Sequence, residues 1–255
     1  MTYSRTYRSF FFLVFAVFMG FAQSEARAET LVGTNVDNRL IVGFAVDPDA
    51  VLEFAPDGYA PISFPQGPMA GANLLVVFID RLIQLDPAGD AAGPPNSRFA
   101  VLAGLAATEG RPPQLFVYRI YASDGSDPYF NSVEAEVTRH SLSEGPPNEG
   151  RARHETWETT TADGSLTLDL DFTSGRRSWS PGEATPWSAA DPSFSRIYRY
   201  SQLVDVVMSA AMDRDRASEL SFQSTIPELS AIFDGSEQIL AIMDIPVYTR
   251  QVFLP

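Results

Sequence analysis

After residue 38 the chain is a series of apolar stretches rich in Val, Ile, Leu and Phe, each cut off by a cluster of Pro, Gly, Asp or Ser. Such punctuation leaves little room for long amphipathic helices and favours many short strands. Strands are expected over Arg39–Val46, Leu74–Leu85, Phe99–Ala107, Gln114–Ser123, Val133–His140, Arg151–Thr160, Ser165–Thr173, Ile197–Met208 and Gln238–Phe253. The stretch Leu74–Leu85 is apolar on both faces, so periodicity alone leaves a buried helix open, but its Val/Ile/Phe content favours a strand. Two of the strands flank Ala162-Asp163-Gly164, a hairpin signal. The second of these puts Leu166, Leu168, Leu170 and Phe172 on one face and Thr167, Asp169 and Asp171 on the other. Asp47-Pro48 is an N-cap and first-turn pair that starts a short helix toward Phe54, and Pro56-Asp57-Gly58 ends it. A second helical turn is expected in Pro227–Phe233, stopped at Asp234-Gly235-Ser236, while Arg176–Pro192 reads as irregular. The loops Asp86–Ser97 and Ser141–Gly150 look internal. The expected class is therefore mainly β, a β-rich α+β single domain: an antiparallel β-barrel or cone-like folded sheet with a few short helices.

The N-terminus has a different character. Arg5 and Arg8 precede an apolar run from Phe10 to Ala22, shorter than the ~20 residues a membrane-spanning helix needs. A polar stretch and Ala26-Arg27-Ala28 follow, small-x-small as signal peptidase requires. Residues 1–28 are expected to be a cleaved signal peptide and 29–255 the working domain, periplasmic or secreted. No later segment is apolar enough for a membrane helix.

Absences bound the chemistry. The chain has no Cys, so disulfides, thiolate nucleophiles and thiolate metal sites are excluded. All 18 basic residues are Arg, which removes Schiff-base, cofactor-anchoring and phosphate-loop lysines. Two histidines cannot make a three-histidine zinc site, and no G-x-S-x-G supports a nucleophile elbow. The formal charge of −14 disfavours nucleic acid and anionic lipid as partners. No cofactor and no metal is expected, and oligomeric state is not encoded legibly.

The opening segment RLIVGFAVDPDAVLEFAPDGYAP runs strand, Asp47-Pro48-Asp49-Ala50-Val51 helix start, then Ala55-Pro56-Asp57-Gly58. In this order and spacing it resembles the acetoacetate decarboxylase-like superfamily. The closing segment IPELSAIFDGSEQILAIMDIPVYTRQVF is similar to that group's final helix and strands. The resemblance implies a β-rich cone or barrel around a largely apolar pocket. It also implies a lysine that condenses with a keto substrate, and this sequence has none. No catalytic residue carries over, so decarboxylation by that route is excluded.

Three ligand-binding candidates stand out. Arg119 lies in an apolar strand, expected to share a face with Leu115, Val117 and Tyr121. Asp80 and Arg81 sit inside LLVVFIDRLIQL, Arg81 on the face of Val77, Ile79 and Ile83. A guanidinium among apolar neighbours is costly unless paired, and it can hold a carboxylate bidentately; a structural ion pair is the competing reading. Glu134 and Glu136 read as a solvated strand face. His154, Glu155 and Glu158 match no zinc signature, and the aromatic run from Trp179 to Tyr200 reads as a loop packed on the sheet. The leading expectation is an exported binding protein for a small hydrophobic or carboxylate ligand. The alternatives are a lysine-independent lyase, hydratase or isomerase with Glu155 or Asp80 facing Arg119, and an envelope interaction protein with a filled core.

Overall fold

The computed structural model describes residues 28–94, 96–146 and 150–255, so the signal-type segment up to Arg27 lies outside the described residues. The strands in chain order are β1 (Thr30–Ala45), β2 (Ala60–Ile62), β3 (Leu74–Leu85), β4 (Ser97–Ala107), β5 (Gln114–Ala122), β6 (Ser132–Glu134), β7 (Glu136–Glu144) and β8 (Ala152–Thr160). They continue with β9 (Ser165–Thr173), β10 (Ser178–Ala184), β11 (Pro186–Ser188), β12 (Ile197–Ser209), β13 (Arg214–Asp215), β14 (Ala217–Ser224) and β15 (Gln238–Leu254). Helix α1 is the short Pro48–Leu52, where the Asp47 carboxylate accepts from the Asp49 amide at 3.0 Å, as the Asp-Pro pair dictates. The class is mainly β, as the sequence implies.

Two sheets form. The large one runs β10-β12-β15-β1-β3-β4-β5-β11, with β2, β6 and β13 on its margins. The small one runs β14-β9-β8-β7. The two end strands of the large path, β10 and β11, are consecutive in the chain with only Thr185 between them. One continuous segment therefore ties the two ends together, and the sheet curls into a cone without a closed hydrogen-bonded ladder. The stretch Arg176–Pro192, expected to be irregular, is this tie: β10 pairs antiparallel to β12 and β11 parallel to β5. Its Ser, Pro and Gly content hid it, because an edge segment needs few β-branched residues when partners on both sides supply the ladder. The expected strand Val133–His140 is broken at Ala135, its halves serving different sheets.

The pleat sorts the side chains. Leu40, Val42 and Phe44 of β1 and Leu74, Val76 and Phe78 of β3 point outward from the cone. They pack on Trp157 of β8 and on Leu166, Leu168, Leu170 and Phe172 of β9, the apolar face the hairpin pattern shows. Phe78 and Trp157 stack with centroids 5.3 Å apart. Burying each such side chain contributes roughly 1.5–3 kcal/mol, enough to fix one sheet on the other. An ionic seam also crosses between the sheets. Asp80 pairs with Arg139 at 3.1 Å, Arg139 with Glu155 at 3.0 Å, Glu155 with Arg153, and Arg153 with Asp244 at 3.5 Å. The opposite, inner faces of the same strands enclose a cavity.

Candidate functional site

The inner wall of β1 carries Asn35, Asp37, Arg39 and Ile41 at successive period-two positions. Ile41, Val77, Ile79, Val101 and Val117 give the cavity an apolar lining, with Met243 on the β15 side. At one end the lining changes to Arg39, Arg81 and Arg250 among Tyr129, Tyr198, Tyr200 and Tyr248. The cavity volume is about 310 Å³. A second, more polar chamber of about 330 Å³ adjoins it, sharing Arg81, Pro128, Tyr198 and Arg250 and adding Asn35, Gln84 and Arg196. Arg81 and Arg250 thus stand at the boundary between an apolar chamber and a polar one.

Bulges decide which residues reach this site. Along β15 the register against β1 passes from Arg39↔Ile245 to Asp37↔Tyr248, so the Pro246-Val247 step is an irregularity. It brings Tyr248 and Arg250 to the same inner face as Met243, which strict alternation would deny them. Gly182 on β10 lies opposite Tyr200, and a Cβ there would come within 2.6 Å of the Tyr200 hydroxyl, so a side chain at 182 would displace that ring.

The electrostatics are lopsided. Asp37 is completely buried; its Oδ2 accepts from Arg39 at 2.6 Å and its Oδ1 from Arg81 at 3.4 Å. Burial alone would raise the Asp37 pKa, but the charges of Arg39, Arg250 and Arg81 overcome it and hold the carboxyl below its ordinary range. Arg81 is pushed below the usual arginine value, first by burial and then by the charge of Arg250. Among the described residues no carboxylate lies within 4.0 Å of the Arg250 guanidinium. The Asn35 carboxamide, oriented so that both of its ends are satisfied, accepts from Arg250 Nη2 and Nε at 3.1 and 3.2 Å. Aromatic faces supply the rest: Arg39 lies 3.5 Å from the Tyr248 centroid, Arg250 4.1 Å from Tyr198 and Arg81 4.6 Å from Phe99. Such stacking offsets part of the desolvation cost and leaves guanidinium edges unengaged.

The segment between β5 and β6 borders the boundary. The Tyr129 and Tyr198 hydroxyls are 2.5 Å apart, and Ser188 donates to the Tyr129 carbonyl at 2.6 Å. Burial, followed by the Tyr198 contact, raises the Tyr129 pKa well above the ordinary phenol value, so the phenol stays neutral.

Of the residues singled out by sequence, Arg81 lines both chambers. Asp80 points the other way, into the seam, paired with Arg98 and Arg139 at 3.1 Å each. Arg119 also lies outside the cone, 2.7 Å from Glu228, which Tyr121 contacts as well. A bulge in β5 is the reason. The register passes from Leu102↔Arg119 to Ala103↔Val117, so Val117 and Ile120 face the cavity while Arg119 is turned away from it. Glu155 belongs to the seam, so the expected grouping of Glu155 or Asp80 with Arg119 in one cavity is not formed. In the aromatic run, Tyr198 and Tyr200 line the cavity, whereas Trp179 is exposed. His154 is held by Asp171 at 2.6 Å, and Glu134 and Glu136 are exposed. Sequence reasoning passed over Asp37, Arg39 and Arg250. Arg39 and Arg250 carried the same signal as Arg81, an arginine within an apolar strand, but stood near strand ends, where a charge looks unremarkable.

No known family's sequence profile matches the chain, and no curated protein is similar to it in sequence. Solved structures do match. The enduracididine biosynthesis enzyme MppR with HEPES buffer bound aligns at TM-score 0.56 and 12% identity, over 91% of this chain and 89% of that one. MppR complexed with the condensation product of pyruvate and imidazole 4-carboxaldehyde aligns at 0.53 and 13%, over 91% and 90%. An acetoacetate decarboxylase-like enzyme from Sphingomonas wittichii RW1 aligns at 0.49 and 12%, over 89% and 92%. At these identities the likeness concerns fold, and the chain has the acetoacetate decarboxylase-like fold without a lysine anywhere in its sequence.

Proposed function

We propose that this protein is an exported binding protein whose cone cavity holds a small organic anion, its carboxylate or equivalent group against Arg81 and Arg250 and its apolar body among Ile41, Val77, Ile79 and Val101. The observation that carries this reading is the gathering of three arginines, the buried Arg39 and Arg250 and the largely buried Arg81, about a single buried carboxylate, Asp37, at the polar end of an otherwise apolar cavity. Small-molecule sites are typically apolar with a few placed polar groups, and guanidinium forks match carboxylates. MppR, similar in fold, is complexed with the condensation product of pyruvate and imidazole 4-carboxaldehyde, which supports small-molecule binding as a use of this fold. Without lysine, an amine of that kind cannot condense with a keto group, so binding is favoured over chemistry. Export rests on the N-terminal pattern of residues 1–28.

Native mass spectrometry of the protein purified from its exported fraction, followed by denaturation and analysis of what is released, tests the proposal. The expected result is an acidic small molecule in near-stoichiometric amount, lost in Arg81→Met. An empty wild-type chain that also shows no thermal shift with organic acids would overturn it.

A further inference from the structure

The charge balance of the cavity says more than that an anion binds. Arg39, Arg81 and Arg250 bring three positive charges, and Asp37, the buried carboxylate among them, brings one negative. The remainder around the cavity is two positive charges, and in the adjoining chamber the exposed Asp127 is matched in number by Arg196. The tyrosines do not cancel it: burial raises the Tyr129 and Tyr248 pKa values, and ring stacking attracts a cation without neutralising it. The donors agree. Three guanidiniums carry about fifteen N–H groups. Arg39 spends Nε and Nη2 on Asp37; Arg81 spends Nε on Asp37 and Nη1 on Gln84; Arg250 spends Nε and Nη2 on Asn35. One terminal nitrogen of each guanidinium, Nη1 of Arg39, Nη2 of Arg81 and Nη1 of Arg250, has no protein acceptor among the described residues, and all three side chains line the same cavity.

We propose that the cavity takes a dianion: a small molecule with two negative charges close together at one end of an apolar body, such as a phosphomonoester or a geminal dicarboxylate. This rests on the anion-binding reading above and adds the charge of the ligand. A single carboxylate would leave one buried positive charge unmatched, a costly state in a low-dielectric wall. Two charges at one end match the geometry, because Arg81 and Arg250 sit together at the boundary while the far end of the cavity is apolar. A long molecule with a charge at each end would put one of them among Ile41, Val77 and Val101.

The test is calorimetric titration with three probes that share a phenyl body: hydrocinnamate as the monoanion, and benzylmalonate and phenyl phosphate as dianions. It is run at a pH of about 8, above the second ionisation of a phosphomonoester near 6. The expected result is that at least one dianion binds ten-fold or more tightly than hydrocinnamate. In Arg250→Met, which removes a guanidinium without stranding a carboxylate, that ratio should fall toward one. Preference for phenyl phosphate alone assigns a phosphomonoester; preference for benzylmalonate alone assigns a dicarboxylate. Equal affinity for all three, or a dianion preference untouched by Arg250→Met, overturns the dianion and leaves the anion site standing. No binding of any probe up to millimolar concentration overturns both.

Discussion

Asp37 and Arg250 occupy the same buried cluster, yet only substitution of Asp37 should destabilise the fold. Asp37→Asn leaves Arg39 and Arg81 without their shared carboxylate, and breaking a buried pair of this kind costs about 3–5 kcal/mol. Arg250→Met exchanges a buried charge with no carboxylate within 4.0 Å for an apolar chain of similar length. The ligand-free protein should then be unchanged or more stable by about 1 kcal/mol, while the preference for a dianion over a monoanion is lost. Urea midpoints of the two variants check both signs. The Asp37 contribution also has a definite pH window. Its folded pKa lies below the unfolded value of 3.8, so the stabilisation is complete above that value and is lost as pH falls through the folded one.

At the scale of the element, bulges assign the arginines to faces. The step at Pro246-Val247 turns Arg250 inward, and the step in β5 turns Arg119 outward. Without the second, Arg119 would follow Leu115 and Val117 into the cavity, as simple alternation predicts. In the fold it meets Glu228 in a half-exposed pair, side chains 29% and 32% accessible, and such pairs contribute about 0–1 kcal/mol. Arg119→Met is accordingly expected to shift the thermal midpoint little and to leave anion affinity within two-fold of wild type, measured by the same titrations. A ten-fold loss would place Arg119 in the binding machinery and contradict the assignment of faces. Proline and the bulge go together in β15, because a residue lacking an N–H is tolerated where the ladder is already interrupted.

Over the whole molecule, the ionic seam joins the two sheets and has its own pH signature. Burial raises the Asp244 pKa to about 6, against the opposing charge of Arg153. A carboxyl whose folded pKa exceeds its unfolded value binds protons more readily in the folded state. Its effect is absent below about pH 4, becomes progressively destabilising toward pH 6, and is constant above that, amounting to about 3 kcal/mol. Asp244→Asn removes this slope, so its stability relative to wild type should rise by up to that amount between pH 4.5 and 7. Denaturant titrations at the two pH values measure it, and parallel curves for the two proteins would rule the assignment out. The cavity, in contrast, is a positive enclave in a chain of formal charge −14, so the proposed anion recognition rests on the local arrangement and not on the overall field.

Element type was legible because periodicity and turn chemistry are local. Leu166, Leu168, Leu170 and Phe172 announce a strand and its core face, and Asp47-Pro48 announces a helix start, from neighbours a few residues away. The many short apolar stretches likewise implied a folded sheet, and the resemblance of the opening and closing segments to the acetoacetate decarboxylase-like group implied an apolar pocket within it. The lack of lysine by itself removed the Schiff-base route. The tie at β10 and β11 was not legible, since a Ser/Pro/Gly-rich edge segment takes its extended form from the strands it joins. Nor was the site: Arg39, Arg81, Arg119 and Arg250 carry one local signature, an arginine among β-branched and aromatic residues. A single-residue register shift inverts the face of everything beyond it. Which of the four face the cavity, and that two of them pair with Asp37 while Arg250 joins the same cluster, was settled only when β1 paired with the sequence-distant β3 and β15, and β4 with β5, each with its own bulges.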